Sequence, residues 1–356
     1  MTFENTAPMR IGLAGLPSDD LDWIVQSLRD RAHELSSSRI LITGASGFVG
    51  RWVVAALVEM RTQLHVPDLS VQILVRNSST AQERLGAELW NHVEVVEADI
   101  KQPLSLRQPA SHVVHGATPS STRSGSGDGR GVLLTSVSGT HNLIQAISAF
   151  DEAPRVLHLS SGAVYGPQPS EVDRIPENWG GGPSPFLTTA PYAEGKRAAE
   201  ALLEAAGRDD LLKPLQARLF AFVGPGLPTN EGFAIGNFIR QACIGEAIHL
   251  TGDGSNTRSY IDARSLVVWL IRILLDGEVG TPYNVGSPFG HSLRDWAHMC
   301  AELVKVPVVL GDQVVGERLA YVPDVSNSIK IGIHPPSDDI RPSLWAWIQW
   351  LRANQR

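Results

Sequence analysis

The chain has 356 residues, and 30 Lys and Arg against 37 Asp and Glu give a formal charge of −7. That length allows two domains or one large α/β unit with an elaboration, and 43% hydrophobic content excludes a disordered or fibrous chain. The negative balance argues against a dedicated nucleic-acid or anionic-membrane surface, and no apolar run reaches membrane-spanning length. Cys243 and Cys300 are too few for a disulfide framework and lack zinc-ligand spacing, and Met1 to Arg10 lacks a secretion-signal pattern. The expectation is a soluble, reduced, cytoplasmic protein with no metal site.

In chain order, residues 18–35 read as one amphipathic helix packed outside the main domain. Leu21, Ile24, Val25, Leu28, Ala32 and Leu35 lie on one face, and Ser18 stands at the cap position. Ser36, Ser37 and Ser38 form a polar hinge. From Arg39, short apolar runs alternate with helical stretches: runs at 40–43, 71–75, 93–97, 112–115, 156–160 and 216–220, helices near 47–60, 82–89, 131–150 and 192–206. Such βαβα alternation with β-branched strands predicts a Rossmann-type, doubly wound parallel sheet buried on both faces. A helix near 264–275 and a strand at 283–285 extend it. Residues 120–131, rich in Gly and Ser, read as a mobile loop. Beyond residue 223 the alternation breaks at Gly224-Pro225-Gly226, and shorter segments lead to a Trp-rich end. The expected division is therefore a helical extension over 1–38 and an NAD(P)-binding Rossmann domain over 39–222, to which 256–288 also belongs. A smaller substrate domain takes 223–255 and 289–356.

The segment ILITGASGFVG at 40–50 sets three glycines, spaced G-x-x-G-x-x-G, between a strand and a helix. Gly44 permits the tight turn, Gly47 lets backbone approach a pyrophosphate at the helix N-terminus, and Gly50 allows close helix–strand packing. With Ser46, Phe48 and Val49 this turn is the expected NAD(P) cradle. A carboxylate at the end of the next strand would bind the ribose of NAD, whereas Arg76 suits a 2′-phosphate and leans the choice to NADP. Asp99 and Ile100 are expected beside the adenine, and Gly116 and Ala117 where backbone passes close to the cofactor.

Tyr192 and Lys196 are four apart and share a helical face. A nearby ammonium favours the phenolate, so Lys196 is expected to lower the Tyr192 pKa and make it an acid/base near neutrality. The strand before them ends in Ser160 and Ser161, at the sheet edge where ligands of parallel sheets bind. Ser161 is the chosen third catalytic group, Ser160 its rival, and His158 a packed core residue.

Together these residues resemble the extended short-chain dehydrogenase/reductase family, in its NAD(P)-dependent nucleotide-sugar epimerase/dehydratase branch, from about residue 39 onward. RLFAFVGP at 218–225, GDGSNTRSY at 252–260 and YNVGS at 283–287 look like the branch's later landmarks. The resemblance implies that Tyr192 moves the proton at a sugar oxygen and that Lys196 contacts the nicotinamide ribose. It gives Ser161, Asn237 and Arg258 to the substrate, with Arg258 on the nucleotide diphosphate. Dehydratases of the branch carry an Asp-Glu pair after the catalytic hydroxyl, and UDP-glucuronate decarboxylases a Glu, where this chain has Gly162 and Ala163. Ala221 and Ser136 replace two further family Asn residues. The reading is a nucleotide-sugar 4-epimerase or 4-ketoreductase, with Arg76 tilting to reduction. The alternatives are a 4,6-dehydratase or decarboxylase, and a non-catalytic dinucleotide sensor on the same fold. A homodimer is implied through the Tyr192 helix and its predecessor. The Leu143, Ile144 and Ile147 face either serves that contact or covers the sheet.

Overall fold

A computed structural model describes residues 9–118, 128–229, 232–313 and 319–354. The apolar runs form one seven-stranded sheet built from β1 (Arg39–Thr43), β2 (Ser70–Val75), β3 (Glu94–Glu97), β4 (His112–His115), β5 (Arg155–Ser161), β6 (Lys213–Leu219) and β11 (Pro282–Val285). Its order is β11-β6-β5-β4-β1-β2-β3 and every pairing is parallel. Two-residue strands occupy the C-terminal third: β7 (Phe222–Val223), β8 (Ile248–His249), β9 (Thr257–Arg258), β10 (Ile261–Asp262), β12 (His291–Ser292), β13 (Val308–Val309) and β14 (Ala320–Tyr321). The fold is the expected α/β class, and the crossover between β4 and β1 opens a crevice at the strands' carboxyl ends.

The helices are α1 (Ser18–Ser27), α2 (Phe48–Gln63), α3 (Ser78–Leu85), α4 (Ala87–Trp90), α5 (Gly129–Ile147), α6 (Ala190–Arg208), α7 (Ala234–Ile244), α8 (Ala263–Asp276), α9 (Leu293–Val304), α10 (Ser326–Lys330) and α11 (Arg341–Asn354). Four expectations need correction. The helix expected over 18–35 breaks: α1 ends at Ser27, Leu28 after it has φ −112°, and a 3₁₀ turn follows over Arg29–Leu35. The Ser27 hydroxyl donates to the Trp23 carbonyl there, a back-bond that competes with the helical ladder. Ser18 is the first helical residue rather than the cap; Pro17 holds that place without a side-chain bond, and Asp19 and Asp20 supply negative charge to the first turn. The stretch near 82–89 is two short helices, because Gly86 sits at φ +80° between them. Of the loop expected over 120–131, residues 129–131 are helical, with Asp128 accepting from the Gly131 N–H, and 120–127 lie outside the described residues.

The main core lies between the sheet and α1, α2 and α8. Leu21, Ile24 and Val25 of α1 are fully buried against it, each worth about 1.5–3 kcal/mol. On the opposite face α5 and α6 cover the sheet. Leu143, Ile144 and Ile147 are buried there with Val113, Val156 and Leu203, so this face covers the sheet and is not free for a partner. A separate apolar cluster forms in the C-terminal third around Phe238, Ile239, Trp296, Cys300 and Trp347. Both cysteines are buried, and neither is in a disulfide. No helix among the described residues is long and apolar enough to cross a membrane.

Candidate active site

The turn after β1 is built by close backbone approach. Gly44 sits at φ +76°, and a Cβ there would lie 2.5 Å from the Gly116 carbonyl oxygen. A Cβ on Gly50 would lie 2.3 Å from the Gly44 carbonyl oxygen, so α2 is pressed against the turn. The Thr43 hydroxyl accepts from the Gly116 and Ala117 N–H groups at 3.1 and 3.2 Å, locking the ends of β1 and β4 together. Gly47 caps α2 without a side-chain bond, which leaves first-turn N–H groups pointing outward where an anion is favoured. These features fit the phosphates of a dinucleotide.

Above the turn opens a cavity of about 700 Å³, within the roughly 300–1,000 Å³ of small-molecule sites. Its lining brings together Gly44, Ser46 to Gly50 and Gly116 with Ser161, Tyr192 and Arg258. Among the described residues lining it are three arginines and no Asp or Glu. Arg258 is held half-buried, its Nη1 donating to the Thr257 and Leu319 carbonyls. Arg84 and Arg51 are wall residues that sequence reasoning missed. Arg51 lies over Gly226, its Nε and Nη2 buried without a hydrogen-bond partner, and burial lowers its pKa. A buried, unpaired guanidinium is costly and calls for an anion.

Other expected residues stand back from this wall. Arg76 is exposed at the end of β2. The Asp99 carboxylate accepts from the Lys101 N–H at 3.0 Å, and Ile100 is buried against Gly139 of α5. Ala117 packs among the α5 side of the core, and Asn237 is half-buried on α7 outside the cavity lining.

At the cavity floor the two serines divide. The Ser160 hydroxyl donates to Glu200 at 2.5 Å, and Glu200 is gripped by Arg218 at 3.0 and 2.7 Å. Arg218 also donates to the Tyr165 hydroxyl, which donates to Asn284. This buried network fixes β5, β6 and α6 under the site and leaves Ser160 occupied. Ser161 lines the cavity together with Tyr192 and Tyr321; its hydroxyl accepts from the Ala163 N–H at 3.2 Å and acts to lower the pKa of both phenols. His158 is a core residue, with its Nδ1 on Gln216 at 3.1 Å.

The expected effect of Lys196 on Tyr192 is not what the geometry gives. Lys196 is buried and donates to the Leu159 carbonyl at 2.6 Å, and burial lowers its own pKa to about 8. The Tyr192 phenol is raised above its ordinary value by burial, against a lowering contribution from Ser161. The Lys196 ammonium is turned to the Leu159 carbonyl, and burial sets the direction of the Tyr192 shift.

Residues 40–286 match the model of the NAD dependent epimerase/dehydratase family. UDP-glucuronic acid decarboxylase 1 of Xenopus tropicalis is 31% identical over 274 residues, covering 76% of this chain and 61% of that protein. The chain thus spans about six tenths of that relative's length. UDP-glucuronic acid decarboxylase 6 of Arabidopsis thaliana is 26% identical over 322 residues, 89% of this chain and 90% of that protein. Among solved structures, UDP-glucose 4-epimerase of Thermotoga maritima superposes with a TM-score of 0.74 at 20% identity, covering 89% of this chain and 100% of that one. The dTDP-glucose 4,6-dehydratase of Streptomyces venezuelae, with NAD bound, also gives 0.74 at 24% identity, covering 89% and 98%.

Proposed function

Since this chain belongs to the NAD dependent epimerase/dehydratase family, we propose that it performs redox chemistry at C4 of a nucleotide sugar, as a 4-epimerase or 4-ketoreductase. One observation carries the choice within the family: Ser161 and Tyr192 line one cavity whose described lining holds no carboxylate. Loss of water from C5–C6 needs a further acid and base. Gly162 and Ala163, at the places where dehydratases of the branch carry theirs, supply neither.

The turn at Gly44, Gly47 and Gly50 would hold the cofactor's pyrophosphate, and the nicotinamide, when bound, accepts or donates the hydride. Tyr192 carries the proton of the C4 oxygen and Ser161 fixes that oxygen by hydrogen bond. With its pKa raised, Tyr192 rests as the protonated phenol. That form can protonate a ketone oxygen in the reductive direction. Arg258 and Arg51 supply charge for the diphosphates of the two anionic ligands. An NADP preference rests on Arg76 alone, and its exposed position weakens that support. The segments 223–255 and 289–356 serve as the substrate domain, with the separate cluster around Trp296 and Trp347 as its core. Cytoplasmic homodimers are the expected form.

The test is incubation of the purified protein with NAD(P)(H) and a panel of UDP-, dTDP-, GDP- and CDP-hexoses, following nicotinamide absorbance and C4 epimers. C4 interconversion or ketone reduction supports the reading. The names of the curated relatives favour a second one, decarboxylation of UDP-glucuronic acid; release of a UDP-pentose from that substrate would establish it instead.

A further inference from the structure

We infer that Tyr321 is a further catalytic residue, its phenol joining Ser161 in holding the sugar oxygen whose proton Tyr192 carries. The assignment rests on the C4 reading above and deepens it.

Tyr321 comes from a part of the chain remote from the catalytic helix. It lies on β14, paired with β9 so that Tyr321 stands opposite Arg258. Its ring packs on Phe220 with centroids 4.5 Å apart, and Phe220 packs in turn on Tyr165. This aromatic stack carries the hydroxyl to the cavity lining, against Gly162, the residue that follows Ser161. Gly162 is what makes the approach possible. A Cβ on that residue would lie 2.6 Å from the Tyr321 hydroxyl and 2.7 Å from the Phe220 ring. The residue that removes a carboxylate from the sequence therefore admits a phenol in space.

The two phenols differ in duty. Burial holds Tyr321 well above its ordinary pKa, and the neighbouring Tyr192 raises it further, so it stays a donor at neutral pH. In the reductive direction the hydride adds to C4, the carbonyl π electrons move to oxygen, and the Tyr192 proton passes to that oxygen. Tyr321 keeps its proton throughout and donates a hydrogen bond to the charge developing there. Donors aimed at developing charge in a desolvated site give a large catalytic effect. A phenol that only filled space would leave this step untouched.

The test uses the full chain with its dinucleotide. Tyr321→Phe keeps the stack and removes only the hydroxyl; kcat should fall about 10- to 100-fold with KM changed less than about threefold. Gly162→Ala, which keeps the phenol but displaces its hydroxyl, should reproduce the loss. Calorimetry with a hexose nucleotide from the panel and its 4-deoxy analogue gives a readout independent of turnover. The wild type should prefer the 4-hydroxy sugar by about three- to tenfold more than Tyr321→Phe does. Full kcat and unchanged discrimination in Tyr321→Phe would overturn the assignment and leave the C4 reading standing. A wild-type protein that turns over no nucleotide sugar of the panel overturns that reading, and the role of Tyr321 with it.

Discussion

At Tyr192 burial, and not the charge of a residue one helical turn away, sets the direction of the shift. Its phenol is raised above its ordinary value of about 10, so the protonated form prevails through neutral pH. Ketone reduction should be flat across that range and fall only as pH rises through the raised value; alcohol oxidation should climb over the same interval. A kcat/KM profile against pH in both directions checks the sign. Tyr192→Phe should lower kcat at least about 100-fold while dinucleotide affinity holds. Arg51→Met removes an unpaired buried cation, so the ligand-free protein should melt no lower than wild type. Its affinity for an anionic ligand, read by calorimetry, should drop about tenfold. Tyr192, Ser161 and the glycines were legible because each belongs to a fixed local spacing. Arg51, Glu200 and Tyr321 were not, because their surroundings come from distant segments: residue 51 meets 226, and residue 162 meets 321.

At the scale of elements, the turn after β1 separates two duties usually assigned together to its glycines. Gly44 is needed by the backbone itself, at φ +76° and against the Gly116 carbonyl. Gly44→Ala should therefore cost about 2–3 kcal/mol of stability in denaturant unfolding. Gly47 is not so confined, since its Cβ would meet only the Gly44 carbonyl oxygen at 3.2 Å. Gly47→Ala should unfold nearly as the wild type does yet bind dinucleotide more weakly, and the pair distinguishes folding from ligand approach. The strands matched expectation to within a few residues because β-branched runs buried on both faces have few other places to go. The break after α1 and the split at Gly86 were missed because single hydroxyl back-bonds and left-handed residues leave little trace in a hydrophobic period.

Across the whole molecule, buried titratable groups pull stability in opposite directions with pH. Asp20 is raised to about 6 and Glu177 to about 7, chiefly by burial. A carboxyl with a raised folded pKa binds its proton more readily when folded, so the stability it lends is present at low pH and lost as pH rises through 6 to 7. His112 and His115 are lowered to about 4 and about 3, and His158 lies well below its ordinary value, again through burial. Their contribution is present above about 6.5 and is lost as pH falls below it. Asp20→Asn should raise stability by about 2 kcal/mol at pH 8, give no gain near pH 4, and steepen the acid-side loss. Thermal melting from pH 4 to 8 reads all three effects. None of this was visible in composition: the net charge of −7 counts groups without saying which are buried.

The arginine-lined wall set in an acidic chain also governs how ligands arrive. At 0.1 M salt, charges act over about 10 Å, so an incoming anion meets the repulsion of the whole surface before it meets Arg51, Arg84 and Arg258. Added salt screens that outer barrier first and the inner contacts last. Encounter should quicken as ionic strength rises, and dissociation should quicken once the inner contacts are screened too. The protein's selectivity for anions then resides in residence time rather than in capture.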